Sequence, residues 1–537
     1  MIARTNHLFQ RFGARIAAIL VLALALPALL TSCSFLSGPT LRVLAGSEVK
    51  DLEDSIIEAM RKSTGITIEF EYIGTLDGTE ALLNSDERPW DATWFPSNRY
   101  LSLFPEGEQI IEKSESIMRS PVVLGLRADV AQELGWSDDN QPTWQEVVDA
   151  VEKGDLTYGM TSPISSNSGF TTLVQMSTAL SGTGTVLAPE DIESTLPDLK
   201  RFAAGQQLAS GSSGWLLDKY LENPDAVDGI FNYESVLRDV QVDGKPLQIV
   251  IPSDGVITSD YPLTLLKGAD EETRANFDKV TEFLLSDGIQ QRIADETGRR
   301  TTATPPAVDA AVFELPFPNQ LDTVQDLLGS WLSEAKKPSN MVFAIDTSGS
   351  MSRDDRMQQL NQALDVLSGP ELNDGSSASF LRLQPRESIT YLEFSHELKS
   401  EFSVSIPSDE AGYREALDEI RSHVSNYSPY GGTSVYSTVA LAYDRIVNSK
   451  SDDSISSIVV FTDGESNEGM SAEDFRNWYR ELVHKHPEAA KMPVFTVHFG
   501  DSNRDELDEL AQLTGGRTFD GTSDSLRTAF REIRGYL

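Results

Sequence analysis

A single cysteine, Cys33, among 537 residues excludes an intramolecular disulfide. Basic residues are scarce, 44 Lys and Arg against 83 Asp and Glu, and the formal net charge of −39 disfavours nucleic acid or an anionic membrane surface as a direct partner. The plain consequence of this acidity is a well-solvated surface. Its field decays over about 8 Å at physiological salt, so a local cation still attracts a partner carboxylate. Six histidines, at 7, 396, 423, 484, 486 and 498, show no zinc-ligand spacing. Nor is there a Gly-x-Ser-x-Gly elbow, a His-Glu-x-x-His helix or a phosphate loop ending in Gly-Lys-Ser or Gly-Lys-Thr. These absences point away from an enzyme.

What is present fills several compact units. A chain of this length exceeds one core, and 39% hydrophobic residues are ample for more than one. Arg4, Arg11 and Arg15 precede an apolar run over 16–30, short for a membrane span and right for a signal-peptide core. Leu30-Thr31-Ser32-Cys33 follows it. The stretch resembles a bacterial lipobox, which implies lipidation of Cys33 and anchoring on the outer side of a cell membrane. The other reading is a plain signal peptide with an incidental cysteine. Lipid contributes about 0.8 kcal/mol per buried CH₂, so two or three chains hold firmly. Residues 1–33 are then targeting sequence and 34–39 a tether.

From Leu41 strands alternate with helices: strand 41–45, helix 52–60, strands 66–73, 91–96 and 121–126. Thr143-Trp144-Gln145-Glu146 reads as a capping box. Gly46-Ser47 after the first strand, Ser63-Thr64-Gly65 before the second, Ile251-Pro252-Ser253-Asp254-Gly255 and Tyr261-Pro262 resemble the extracellular solute-binding proteins of ABC importers, type II arrangement. The resemblance covers about 40–325 and implies lobe one over 40–120 plus 260–325 and lobe two over 125–247, crossing near 120–125 and 248–259. Prolines at 305, 306, 316, 318 and 338 flank a helical stretch at 321–332, and 326–339 reads as a linker.

The hydroxyl-rich start of a helix at 161–169 offers donors suited to an anion. Ser165, Ser166 and Ser168 are candidates, with Ser47, Ser97 and Tyr233 from other loops; turn and cap chemistry explains them equally well. A small-molecule or oxyanion ligand and a degenerate cleft serving as a scaffold both remain open.

The sharpest signal comes last. The apolar strand Met341-Val342-Phe343-Ala344-Ile345 ends in Asp346, and Ser348 and Ser350 follow at alternate positions, so a tight loop can aim three oxygens at one divalent cation. Gly431-Gly432-Thr433-Ser434 opens a later helix, and Ile458-Val459-Val460-Phe461-Thr462-Asp463-Gly464 is a second strand ending in an acid. Together they resemble the metal-ion-dependent adhesion site of the von Willebrand factor A family, over about 340–537. The fold class expected is α/β throughout: a two-lobed periplasmic-binding-protein-like domain, then a doubly wound Rossmann-like A domain. By that resemblance Ser348, Ser350 and Thr433 bind Mg²⁺, Mn²⁺ or Ca²⁺ directly, and Asp346 and Asp463 act through water and hydrogen bonds. Such a shell leaves the cation hungry for a carboxylate supplied by a partner protein. The alternative is an ABC-importer receptor carrying an accessory A domain.

Overall fold

The computed structural model describes residues 38–84, 88–302, 312–368, 380, 382–449, 454–464, 466–500, 504–521, 529–530 and 533–534. The expected signal peptide, Cys33 and most of the tether lie outside them.

The N-terminal part contains β1 (Thr40–Ala45), β2 (Thr67–Tyr72), β3 (Ala92–Trp94), β4 (Ile111–Ser116) and β5 (Ser120–Leu126). It continues with β6 (Tyr158–Thr161), β7 (Gln206–Ser210), β8 (Gly229–Tyr233), β9 (Gln248–Val250) and β10 (Pro262–Leu266). They form two sheets, ordered β2-β1-β3-β10-β4 and β9-β5-β8-β6-β7. The chain therefore leaves the first lobe after β4 and returns between β9 and β10. Helices α1 (Thr75–Asn84), α2 (Asn167–Leu180) and α3 (Ser213–Glu222) pack on these sheets. The capping box forms: the Thr143 amide donates to Glu146 Oε2 at 2.7 Å and the Glu146 amide to Thr143 Oγ1 at 3.2 Å, starting the helix Trp144–Lys153.

The lobes touch. Leu76, Tyr100 and Phe104 of lobe one share an apolar cluster with Ile164, Phe170 and Leu173 of lobe two. The Leu76 amide donates to the Ser165 carbonyl at 3.3 Å across the same seam.

One boundary differs from the sequence expectation. Helix α4 (Leu321–Ser330) and the turn Trp331–Ala335 were divided between lobe one and a linker, yet Val324, Leu327, Leu328 and Trp331 are sunk in the core of lobe two. Burying each such side chain stabilises by roughly 1.5–3 kcal/mol, so the segment docks rather than spans. Arg386 of the C-terminal domain holds its end, with Nε donating to the Ser333 carbonyl at 2.6 Å and Nη2 to that of Lys336 at 3.0 Å. Phe380 of the same domain enters the lobe-two cluster, and Trp215 on α3 packs against the core of the C-terminal domain.

The C-terminal domain holds β11 (Ser339–Asp346), β12 (Ser388–Phe394), β13 (Leu398–Ser405), β14 (Ile455–Thr462), β15 (Val494–His498) and β16 (Thr518–Asp520). The order is β13-β12-β11-β14-β15-β16, with every neighbouring pair parallel except β12 and β13. Helix α5 (Arg356–Ser368) covers one face and α6 (Val435–Asn448) the other, while α7 (Arg504–Leu513) precedes β16. The chain runs from β11 to β12 on one side and later to β14 on the other. That reversal opens a crevice at the carboxyl ends of β11 and β14, where doubly wound sheets bind ligands. Of the closing helix expected at 526–533, only 529–530 and 533 fall among the described residues.

Candidate metal centre

Asp346 and Asp463 sit at the ends of those two strands. Asp346 is fully buried; its Oδ1 accepts from the Ser348 amide at 2.7 Å and its Oδ2 from Thr462 Oγ1 at 2.6 Å. Burial pushes its carboxyl up to about 6, against the pull of the Thr462 and Ser348 hydrogen bonds. From there a chain of oxygens leads outward: Ser348 Oγ lies 2.9 Å from Ser350 Oγ, which donates to Asp463 Oδ1 at 2.9 Å. The Thr433 loop is stitched to this loop by the Gly349 amide, which donates to the Gly431 carbonyl at 3.0 Å. Gly431 has φ +88°, and a Cβ there would stand 2.6 Å from His396 Nδ1, so glycine alone serves this approach. Thr433 is buried, its amide donating to Asn467 Oδ1 at 2.9 Å.

The donor set suits a small hard cation. Adjacent ligands of an octahedral Mg²⁺ shell with bonds of about 2.05 Å stand about 2.9 Å apart, the spacing of the Ser348 and Ser350 hydroxyls. Among the described residues no group of three or more His, Cys, Asp or Glu side chains gathers to hold a metal. The centre is thus hydroxyl-rich with two carboxylates.

Several residues here escaped the sequence reading. Arg356, the first residue of α5, pairs through Nη1 with Asp463 Oδ2, and Gly500 lies against its guanidinium. Lys399 donates to Thr347 Oγ1 at 2.8 Å, the Thr347 carbonyl at 2.9 Å and the Ser428 carbonyl at 3.1 Å, beneath the ring of Tyr430. Burial lowers its ammonium pKa. Tyr430 is 56% exposed, an aromatic rim beside the Thr433 loop. His498 closes β15 at the same end, and burial lowers its pKa.

The candidates for an anion site have different neighbours. Ser168 Oγ bonds Thr161 Oγ1 at 2.8 Å and lies 3.3 Å from Ser166 Oγ, and at the start of α2 the Gly169 amide donates to Thr161 Oγ1 at 2.7 Å. Ser97 Oγ accepts from the Arg99 amide at 3.2 Å. Tyr233 OH accepts from Asn167 Nδ2 at 3.1 Å, and the same group donates to Ser259 Oγ at 3.1 Å. Ser165 supplies its carbonyl to Leu76, and Ser47 faces Gly214 of α3. The seam contains residues that were not foreseen: Glu48, Ser213 and Arg299.

Two family models match the chain. Residues 41–298 match a bacterial extracellular solute-binding protein, and residues 340–532 a von Willebrand factor type A domain. The chain is 25% identical over 195 residues to the bovine (Bos taurus) calcium-activated chloride channel regulator 1, covering 36% of this chain and 19% of that protein. It is 28% identical over 208 residues to the human (Homo sapiens) inter-alpha-trypsin inhibitor heavy chain H4, covering 36% and 20%. The chain thus spans about a fifth of the length of these relatives. Among solved structures the periplasmic binding protein P5PA is 17% identical, with a TM-score of 0.41 over 56% of this chain and 100% of its own. Among the described residues no helix is long and apolar enough to cross a membrane. The chain joins an extracellular solute-binding domain to a C-terminal von Willebrand factor type A domain.

Proposed function

We propose that this protein is a lipid-tethered capture protein whose A domain binds a partner through a divalent cation, Mg²⁺ or its relatives Mn²⁺ and Ca²⁺. Ser348, Ser350 and Thr433 would hold the ion, Asp346 and Asp463 would orient them and balance part of its charge, and an Asp or Glu of the partner protein would complete the shell. The observation that carries this reading is the oxygen chain from Asp346 through Ser348 and Ser350 to Asp463, at the crevice where the sheet reverses direction. Hydroxyls leave the ion's charge poorly compensated, which favours an incoming carboxylate. Tethering through Cys33 would place this face outside the cell membrane.

The test is retention of a partner on the immobilised protein with Mg²⁺, release by a chelator, and loss in Thr433→Ala. Retention that ignores the chelator would sink the reading. The receptor alternative predicts instead that deleting the A domain leaves solute uptake intact.

A further inference from the structure

Glu48 and Ser213 come from opposite lobes. Glu48 lies in the short helical stretch after β1, and its Oε1 accepts from Ser213 Oγ at 2.5 Å in the first turn of α3. Both ends of this contact are held from behind. Arg299, with no exposed surface, donates through Nη2 to the Glu48 carbonyl and through Nη1 to Asp51, each at 2.6 Å. Asn232 Nδ2 donates to the Ser213 carbonyl at 3.0 Å.

The second carboxylate oxygen is unusual. Glu48 Oε2 is enclosed and has no hydrogen-bond partner. It folds over Gly46, where any Cβ would collide with it. An enclosed carboxylate oxygen without a donor is costly, and a chain seeking stability alone would place a neutral side chain here. The surroundings of the carboxylate pull in two directions: burial pushes the Glu48 carboxyl up and Asp51 adds to that push, while the Ser213 hydroxyl at the first turn of α3 and the Arg299 guanidinium draw it back toward the anion, with the phenols of Tyr233 and Tyr261, whose rings are 5.7 Å apart, close by. The seam thus resembles a half-satisfied anion cradle filled from within.

We propose that Glu48 is a tethered internal ligand of the interlobe cleft: its carboxylate occupies the place at the first turn of α3 that the carboxylate or oxyanion of a small solute takes on binding. A solute must displace Glu48 to enter, so the residue sets both the class of ligand, a small anion, and the affinity at which it binds. The Leu76 amide, bonded to Ser165 across the seam, reports whether the lobes remain together.

The experiment uses the full chain in detergent, as wild type, Glu48→Ala and Glu48→Gln, with acetate and sulfate as separate probes. Calorimetry is expected to show at least tenfold tighter binding of one probe to Glu48→Ala, and at least threefold to the isosteric Glu48→Gln, which loses the charge and keeps the packing. Hydrogen exchange at Leu76 is expected to speed up in Glu48→Ala and to slow again when that probe is added. No gain in affinity for either anion in either variant overturns the proposal. So does faster Leu76 exchange that neither anion reverses, because Glu48 is then a structural clamp alone. If Glu48→Ala fails to fold, the calorimetry on Glu48→Gln decides.

Discussion

Arg356 sits on the Asp463 carboxylate, the same group whose other oxygen accepts from Ser350 at 2.9 Å. A divalent cation bound as proposed would therefore compete with a guanidinium for one acid. At an effective dielectric of about 20, like unit charges a few ångströms apart repel by on the order of 3 kcal/mol, against about 1 kcal/mol for one lost positioning hydrogen bond. Repulsion wins by about 2 kcal/mol, and Arg356→Gln should bind Mg²⁺ roughly thirtyfold tighter, as read by calorimetry. Weaker binding would mean that positioning of Asp463 outweighs the charge.

Thr433 offers the cleanest separation of site from fold. Thr433→Ala removes one buried hydroxyl while leaving the backbone bonds to Asn467 and Glu468, and should cost about 1 kcal/mol of stability at most. Partner retention should nevertheless fall to the level seen with chelator. Denaturant unfolding run beside the binding assay checks both halves.

Lys336 gives a pH signature at the domain junction. Burial pulls its ammonium down to about 8, with Glu387 opposing and Arg534 and Arg386 adding to the shift. The unfolded chain keeps that proton up to about 10.4, so in the window between the two values unfolding takes up a proton and rising pH favours the fold. Below about 8 both states carry the charge, and the folded state bears the full penalty. Lys336→Met should therefore be more stable at pH 7, by on the order of 2 kcal/mol, and the difference from wild type should shrink as pH rises toward 10. A constant difference across that window would refute the assignment.

Trp331 tests whether 321–335 is a docked element or a loose connection. Its side chain is 2% exposed within the lobe-two core, and Trp331→Ala should cost roughly 3–5 kcal/mol. Because Arg386 ties the same segment to the A domain, calorimetry should show the two domains separating into distinct transitions in the variant.

Cys33→Ala should release the protein from the membrane fraction into the medium or periplasm, as seen by fractionation. Unchanged attachment would leave the lipid anchor without support.

The oxygen cluster at the ends of β11 and β14 was readable because most of it is local. Asp346, Ser348 and Ser350 span five positions, and a Gly pair announces Thr433. Arg356 was not readable: its partner lies 107 positions away, and arginine at a helix start ordinarily faces water. The helical spacing at 321–332 was equally plain, but which body its apolar face would join depended on lobe two. At 165–168 the serines carried a real signal of helix initiation, and α2 does start at Asn167, but the hydroxyl that accepts from its first turn, at the Gly169 amide, is that of Thr161. The interlobe contact between Glu48 and Ser213 joins residues 165 positions apart, beyond any local pattern.

Ser213 and Trp215 are two positions apart on α3, one meeting lobe one and the other seated against the core of the A domain. Lobe two, through Trp215, Arg386 and Phe380, shares packing with the A domain, while lobe one starts at Thr40, on the side of the proposed tether. If a solute displaces Glu48 as proposed, parting the lobes would turn the A domain with lobe two, and binding of a small molecule would change the direction in which the proposed capture face points.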